Sequence, residues 1–242
     1  MSPVGCLNSR YTAYYIVSQA PFFAAEVPVP LQDIHLPLGA VHGSNESVQH
    51  IGLVLVKMFV AQELRKQNIA EYLLYMWQVE DIIRAYDCSL TRIRKEYINR
   101  FNYSDEQKEE MIDWYGNLIT MMNQEGKREQ GHLQINQIVL QDLTELNAQL
   151  LNSTKFPFYN AEYYKVLPFI VELRQKAGSQ GVQESEIETC MNALYGTMLL
   201  RLQQKEITQN TAHAIKEITT FIGMLSDYYL KDKTEGIVFD EE

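Results

Sequence analysis

Asn68–Tyr86, NIAEYLLYMWQVEDIIRAY, decides the fold. It opens on an N-cap type of residue, holds no Gly or Pro, and makes about five turns if helical. On a wheel of roughly 100° per residue it is apolar almost all round, with Glu71 and Gln78 sharing a narrow polar stripe. A helix greasy on most sides is a central one, wrapped by neighbours. Three charges break the apolar surface: Glu80 falls between the directions of Ile69 and Leu73, with Asp81 and Arg84 to one side.

Downstream the chain reads as further helices with short breaks, and no strand pattern follows Met58. Upstream of the central helix, Val60–Gln67 is either a short helix or its first turn. After Tyr86, a helix is expected over Leu90–Arg100, with Ile93, Tyr97 and Ile98 on one side. Ser104 with Gln107 three residues on forms a capping box, and Asp105 and Glu106 suit a first turn. The helix it opens carries Met111, Trp114, Tyr115, Leu118, Met121 and Met122 at three-and-four spacing, a core stripe rather than a cofactor box. GKREQG (126–131) reads as a polar turn. His132–Asn152 reads as an amphipathic helix with Ile135, Ile138, Val139, Leu143, Leu146 and Leu150 inward.

NSTKFPFYN (152–160) reads as a linker broken by Pro157, followed by a helix that Pro168 should kink. Ser185 with Glu188 marks another helix start, with Ile187, Cys190, Met191, Leu194, Met198 and Leu202 inward and Arg201 on the same side. The last helix is expected over Thr208–Leu230, its inner face carrying Ile215, Ile218, Phe221, Ile222, Leu225 and Tyr229. Residues 231–242 form a charged tail. About seven helices with short loops make an all-α helical bundle over 58–230, either one bundle or two halves divided near 152–160.

Residues 1–57 differ from the rest. They hold five of the seven prolines (Pro3, Pro21, Pro28, Pro30, Pro37) and, of Lys and Arg, only Arg10 and Lys57. The run from Tyr11 to Ala25 is too interrupted for a signal peptide. The composition switches at Met58, which makes Met58 a candidate start and 1–57 an upstream extension. Peptides from the first 57 residues in the native protein would refute that expectation.

Net charge −10 and pI near 5.1 disfavour nucleic acid and anionic membranes as partners, since both reward excess Lys and Arg. Only a folded patch of Arg92, Arg94, Lys95 and Arg100 would reverse that. No apolar run reaches the ~18 residues of a membrane span. Cys6, Cys88 and Cys190 are odd in number and lack metal-ligand spacing, as expected of free thiols in a reducing cytoplasm.

Two groups carry candidate chemistry. Glu80, Asp81, Arg84 and, from a distant helix, Arg201 are candidate ligand-binding residues; Glu80 and Arg84 stand four apart and can pair along the helix. Buried charge demands a partner, so the same residues also read as a structural ion pair. Glu129 and His132 spell Glu-x-x-His, half of a di-metal motif whose second half is missing, because Asn210 stands three before His213. No catalytic residue and no cofactor is expected: there is no nucleophile elbow, no His-Glu-x-x-His and no phosphate loop. Tyrosines such as Tyr72, Tyr163 and Tyr228 suit bundle flanks or an oligomer interface, ring buried and hydroxyl wet.

The run VAQELRKQNIAEYLLYMWQVEDIIRAYD, together with the chain downstream of it, resembles a bacterial family known as a domain of unknown function. The likeness covers about Phe59–Val238, is most specific at NIAEYLLYMWQVED, and its members begin near the equivalent of Met58. It implies an all-helical cytoplasmic protein and supplies no activity, cofactor or site residue. The expected function is therefore a structural or protein-interaction role without catalysis, as a homodimer or with a protein partner. The alternative is a small-ligand or metal-assisted enzyme built on the polar cluster. Convergence of Glu80 with His132 and further carboxylates around a cavity would favour the enzyme. A dry Glu80–Arg84 or Glu80–Arg201 pair would favour the structural role.

Overall fold

The computed structural model describes residues 56–178 and 184–239. The expectations for 1–57 therefore fall, up to residue 55, outside the described residues. Eight α-helices run along the described chain, with no strand among those residues. They are α1 (Val56–Gln67), α2 (Ile69–Ala85), α3 (Leu90–Glu96), α4 (Asp105–Gln124), α5 (Gln134–Asn152), α6 (Pro157–Ala177), α7 (Glu186–Leu202) and α8 (Gln209–Glu235). The chain divides into two compact units: one takes 76–133 with the chain up to 62, the other 63–75 with 134 onward. Helices α1 and α2 each begin in one unit and end in the other.

Asn68 separates α1 from α2. Its side-chain oxygen accepts from the N–H of Ala70 (3.1 Å) and of Glu71 (3.2 Å), as an N-cap does. From Ile69 to Ala85 no residue is exposed, which is the all-round burial its apolar wheel demands. Leu73, Glu80 and Ile83 have no solvent exposure at all.

In the first unit, α3 ends sooner than its pattern suggests and passes into a 3₁₀ turn, Ile98–Arg100. Ile93, Tyr97 and Ile98 are buried as expected. Helix α4 starts on the full capping box, with Ser104 and Gln107 bonding each other's backbone N–H. Rings pack where α3, the turn and α4 meet: Tyr97 stands edge-on to Phe101 at 5.2 Å and to Tyr115 at 5.9 Å. There burial pushes the Tyr97 phenol up to about 12.

In the second unit, α5, α6, α7 and α8 each pack on the other three, a four-helix arrangement. The core is Leu143, Leu150, Val166, Ile170, Ile187, Met191, Ile218 and Phe221 with their neighbours. Polar bonds fix the helices laterally. The Tyr159 hydroxyl donates to Asn147 Oδ1 (2.6 Å) and the Tyr163 hydroxyl to Glu186 Oε2 (2.9 Å).

Several local expectations need correction. Ile135 and Ile138 stand 36% and 52% exposed in the first turns of α5, where Asn136 (1% exposed) turns inward instead. Pro157 does not break a linker; it opens α6 as its first residue, where no N–H is needed. Pro168 lies within α6 as its sequence position implies, on the exposed face, so the Tyr164 carbonyl it leaves without a helical donor can bond water. Helix α8 runs to Glu235 rather than Leu230 and stops at Gly236, whose φ of 77° suits glycine. Beyond it the chain folds back: the Lys155 ammonium donates to the carbonyls of Val238 (3.3 Å) and Phe239 (2.9 Å).

Candidate functional site

The polar cluster lies within the first unit, between the second half of α2 and the loop from α4 to α5. Two glycines shape that loop: Gly126 (φ 68°) ends α4 and Gly131 (φ 79°) turns the chain back toward α2. The turn at Gly131 delivers His132 and Leu133 to Glu80. Leu133 N–H donates to Glu80 Oε1 at 3.0 Å, and His132 Nδ1 lies 2.7 Å from Oε2. The imidazole stacks on the Trp77 indole, centroids 4.1 Å apart and planes 15° apart.

Arg84, one turn on from Glu80, supplies the matching donors. Its Nη2 stands 3.7 Å from Glu80 Oε2, and Nη1 bonds Asp81 Oδ1 at 2.9 Å. The same guanidinium reaches the loop, donating from Nε to the Lys127 carbonyl (3.3 Å) and from Nη2 to the Gly131 carbonyl. Side-chain exposure is 8% for Arg84 and 0% for Glu80, so these bonds form where water competes weakly. Carboxylate and guanidinium, one turn apart on α2, thus clasp the loop's backbone together, the carboxylate accepting one N–H and the guanidinium donating to two carbonyls.

A second tie holds the same loop to the end of α2. Asp87 and Cys88 both adopt left-handed φ (56° and 54°), a conformation that costs non-glycine residues about 1 kcal/mol each. Arg128 Nη2 donates to the Asp87 carbonyl at 3.0 Å, and Cys88 N–H bonds the Ile83 carbonyl at 2.9 Å. Burial pushes the Cys88 thiol up, with the nearby Arg128 and Arg84 charges working against it.

Glu80, Asp81, Arg84 and His132 therefore come together. The other two candidates do not join them in this way. Arg201 is exposed in the last turn of α7. Glu129 is exposed in the loop, and because α5 starts only at Gln134, Glu129 and His132 share no helix face. The Glu-x-x-His reading fails with that helix start, since three-residue spacing joins two side chains only on a helix. Among the described residues no group of three or more His, Cys, Asp or Glu could hold a metal ion. The enzyme-like and the structural outcomes both occur in part: Glu80 meets His132 and also Arg84.

Two features had no reading in the sequence: Trp77 as the ring under His132, and the loop backbone as the partner of Arg84. Gly131 beside His132 was the available signal for the turn, and backbone partners carry no signal at all. The basic side chains Arg92 and Arg94 make no bare patch. Arg92 pairs with Asp87 and with Glu96 (3.6 Å), and Arg94 with Glu109 (2.7 Å).

Residues 58–236 match the family model described as Domain of unknown function (DUF4924). The chain belongs to that family. No curated protein and no solved structure matches it. The DUF4924 match spans both units and takes in the whole clasp. No helix among the described residues is long and apolar enough to cross a membrane.

Proposed function

We propose that this DUF4924 protein acts by association rather than by chemistry, as a homodimeric, cytoplasmic bacterial protein with a structural or partner-binding role. The observation that carries this reading is the internal use of the polar cluster. Glu80 is fully buried and takes donors from Leu133, His132 and Arg84, while Arg84 is tied to Asp81 and two loop carbonyls. Groups bound to each other in this way fix a loop, and a ligand would have to displace those bonds to use them.

His132→Phe tests the reading. The variant keeps a ring against Trp77 and removes the donor to Glu80. Thermal stability should fall, while self-association measured by sedimentation stays as in the wild type. Loss of association with the helical signal intact would place the cluster in the association surface and overturn its internal role, the observation on which the proposal rests.

One observation favours a second reading, a small-ligand or metal-assisted enzyme at Glu80, Asp81, Arg84 and His132. A buried carboxylate at Nδ1 orients the imidazole, and 28% of the His132 side chain stays exposed. With Nδ1–H donated to Glu80, Nε2 carries the lone pair that a ligand metal or a proton would take. One equivalent of metal or organic ligand retained through purification from the native host would favour this reading over the first.

A further inference from the structure

The outward face of α6 carries a pattern that packing within its own unit does not use. Its inward residues Tyr159, Val166 and Ile170 have no exposure. Pro157, Ala161, Tyr164, Pro168, Val171 and Gln175 are all exposed and recur at alternating steps of four and three. That is the spacing of a helix-pairing seam, two positions per seven residues. Tyr164 is 65% and Val171 45% exposed, and Phe158 beside the seam is 82% exposed. Among the described residues, these three make up half of the exposed large apolar side chains, the others being Ile135, Ile138 and Val238.

One flank of the seam is charged in a self-complementary order. Along it run the exposed Lys165 and Glu172, opposite in sign, with the exposed Lys176 behind them. Within one chain Lys165 pairs with Glu162, whose side chain is 18% exposed, and Glu172 pairs with Lys176 in an exposed contact that is free to be shared. When two helices pair antiparallel about a two-fold axis, the same flank of each meets the other. An axis near residue 169 sets Lys165 beside Glu172 of the second copy, twice over. Pro168 and Val171 then meet their counterparts at the centre. In a parallel pair this flank would instead meet the opposite one, which carries Asn160, Leu167 and Arg174 and offers no acid.

We infer that α6 is the self-association face, pairing antiparallel with α6 of a second copy of this chain. This names the contact surface for the proposed homodimer and rests on that reading. The seam spans about 27 Å at 1.5 Å rise per residue. A single helix face of that length is smaller than a standard interface, which places the dimer among weak, reversible associations.

Sedimentation velocity on the full chain from about 1 to 100 µM, a range that covers weak association, tests the inference with four proteins. The wild type should pass from monomer to dimer. The pair of substitutions Tyr164→Glu and Val171→Glu should stay monomeric with an unchanged helical circular dichroism signal. Lys165→Glu should weaken the dimer about tenfold, and Lys165→Glu with Glu172→Lys should restore it. A dimer that ignores Tyr164→Glu with Val171→Glu overturns the α6 assignment while association stands. A Lys165→Glu loss that Glu172→Lys does not repair overturns the antiparallel arrangement. A wild type monomeric at the highest concentration overturns both the inference and the reading beneath it.

Discussion

Glu80→Gln removes the charge at the centre of the clasp and hardly changes its shape. In the native protein Oε1 takes the Leu133 N–H at 3.0 Å, and Oε2 takes His132 at 2.7 Å with Arg84 at 3.7 Å. The amide can offer one oxygen to these donors, and its NH₂ group then faces at least one of them. A hydrogen bond to a charged group contributes about 1.5–3 kcal/mol, and breaking a buried ion pair costs about 3–5 kcal/mol. The upper figure does not apply, because Arg84 keeps Asp81 at 2.9 Å. The expected loss is about 2–3 kcal/mol. With a urea slope of about 2 kcal/mol per molar, the unfolding midpoint monitored by circular dichroism falls by about 1 M. Hydrogen exchange gives a local readout: the Leu133 amide should lose protection before its neighbours on α5. A midpoint shift below about 0.2 M, with Leu133 as protected as before, would refute the clasp.

The same geometry sets three further outcomes. Arg201→Ala, at an exposed position, should change stability by less than about 0.5 kcal/mol in the same urea assay, whereas Arg84→Met should match Glu80→Gln. Burial pushes Tyr97, Tyr163 and Cys190 up to about 12 in the folded protein, against ordinary values of 10.0 for the phenols and 9.0 for the thiol. The unfolded chain gives up those protons first, so stability is full below pH 9 and falls from there to about 12; a flat unfolding midpoint between pH 9 and 11 would count against this. Cys190, fully buried, should resist iodoacetamide at pH 8 until denaturant is added, and mass spectrometry of its peptide checks it.

The helices were legible because each signal was local. Ser104 and Gln107 cap α4 through their own neighbours, and the wheel of α2 states its burial without reference to any partner. The side of α5 that faces inward was less legible. Ile135 and Ile138 looked like core, yet Val139, Leu140, Leu143, Leu146 and Leu150 fill the inner face with Asn136 and Asn147, and the first turns are free to expose isoleucine. Pro157 misled for a similar reason: proline ends a helix from within and starts one from its first position, and the sequence does not say which. The cluster was half legible. Glu80 and Arg84 announce themselves as charges on a greasy helix. That His132, 52 residues on, would meet Glu80 depends on the turn at Gly131. No spacing rule encodes that turn.

Native mass spectrometry of the full chain, purified from its own host, tests the central claim most directly, because it reads oligomeric state and retained ligand together. The account predicts a homodimer whose mass is accounted for by two protein chains. A monomer carrying one equivalent of metal or small molecule would contradict it and turn attention to His132 and Glu80 as a working site.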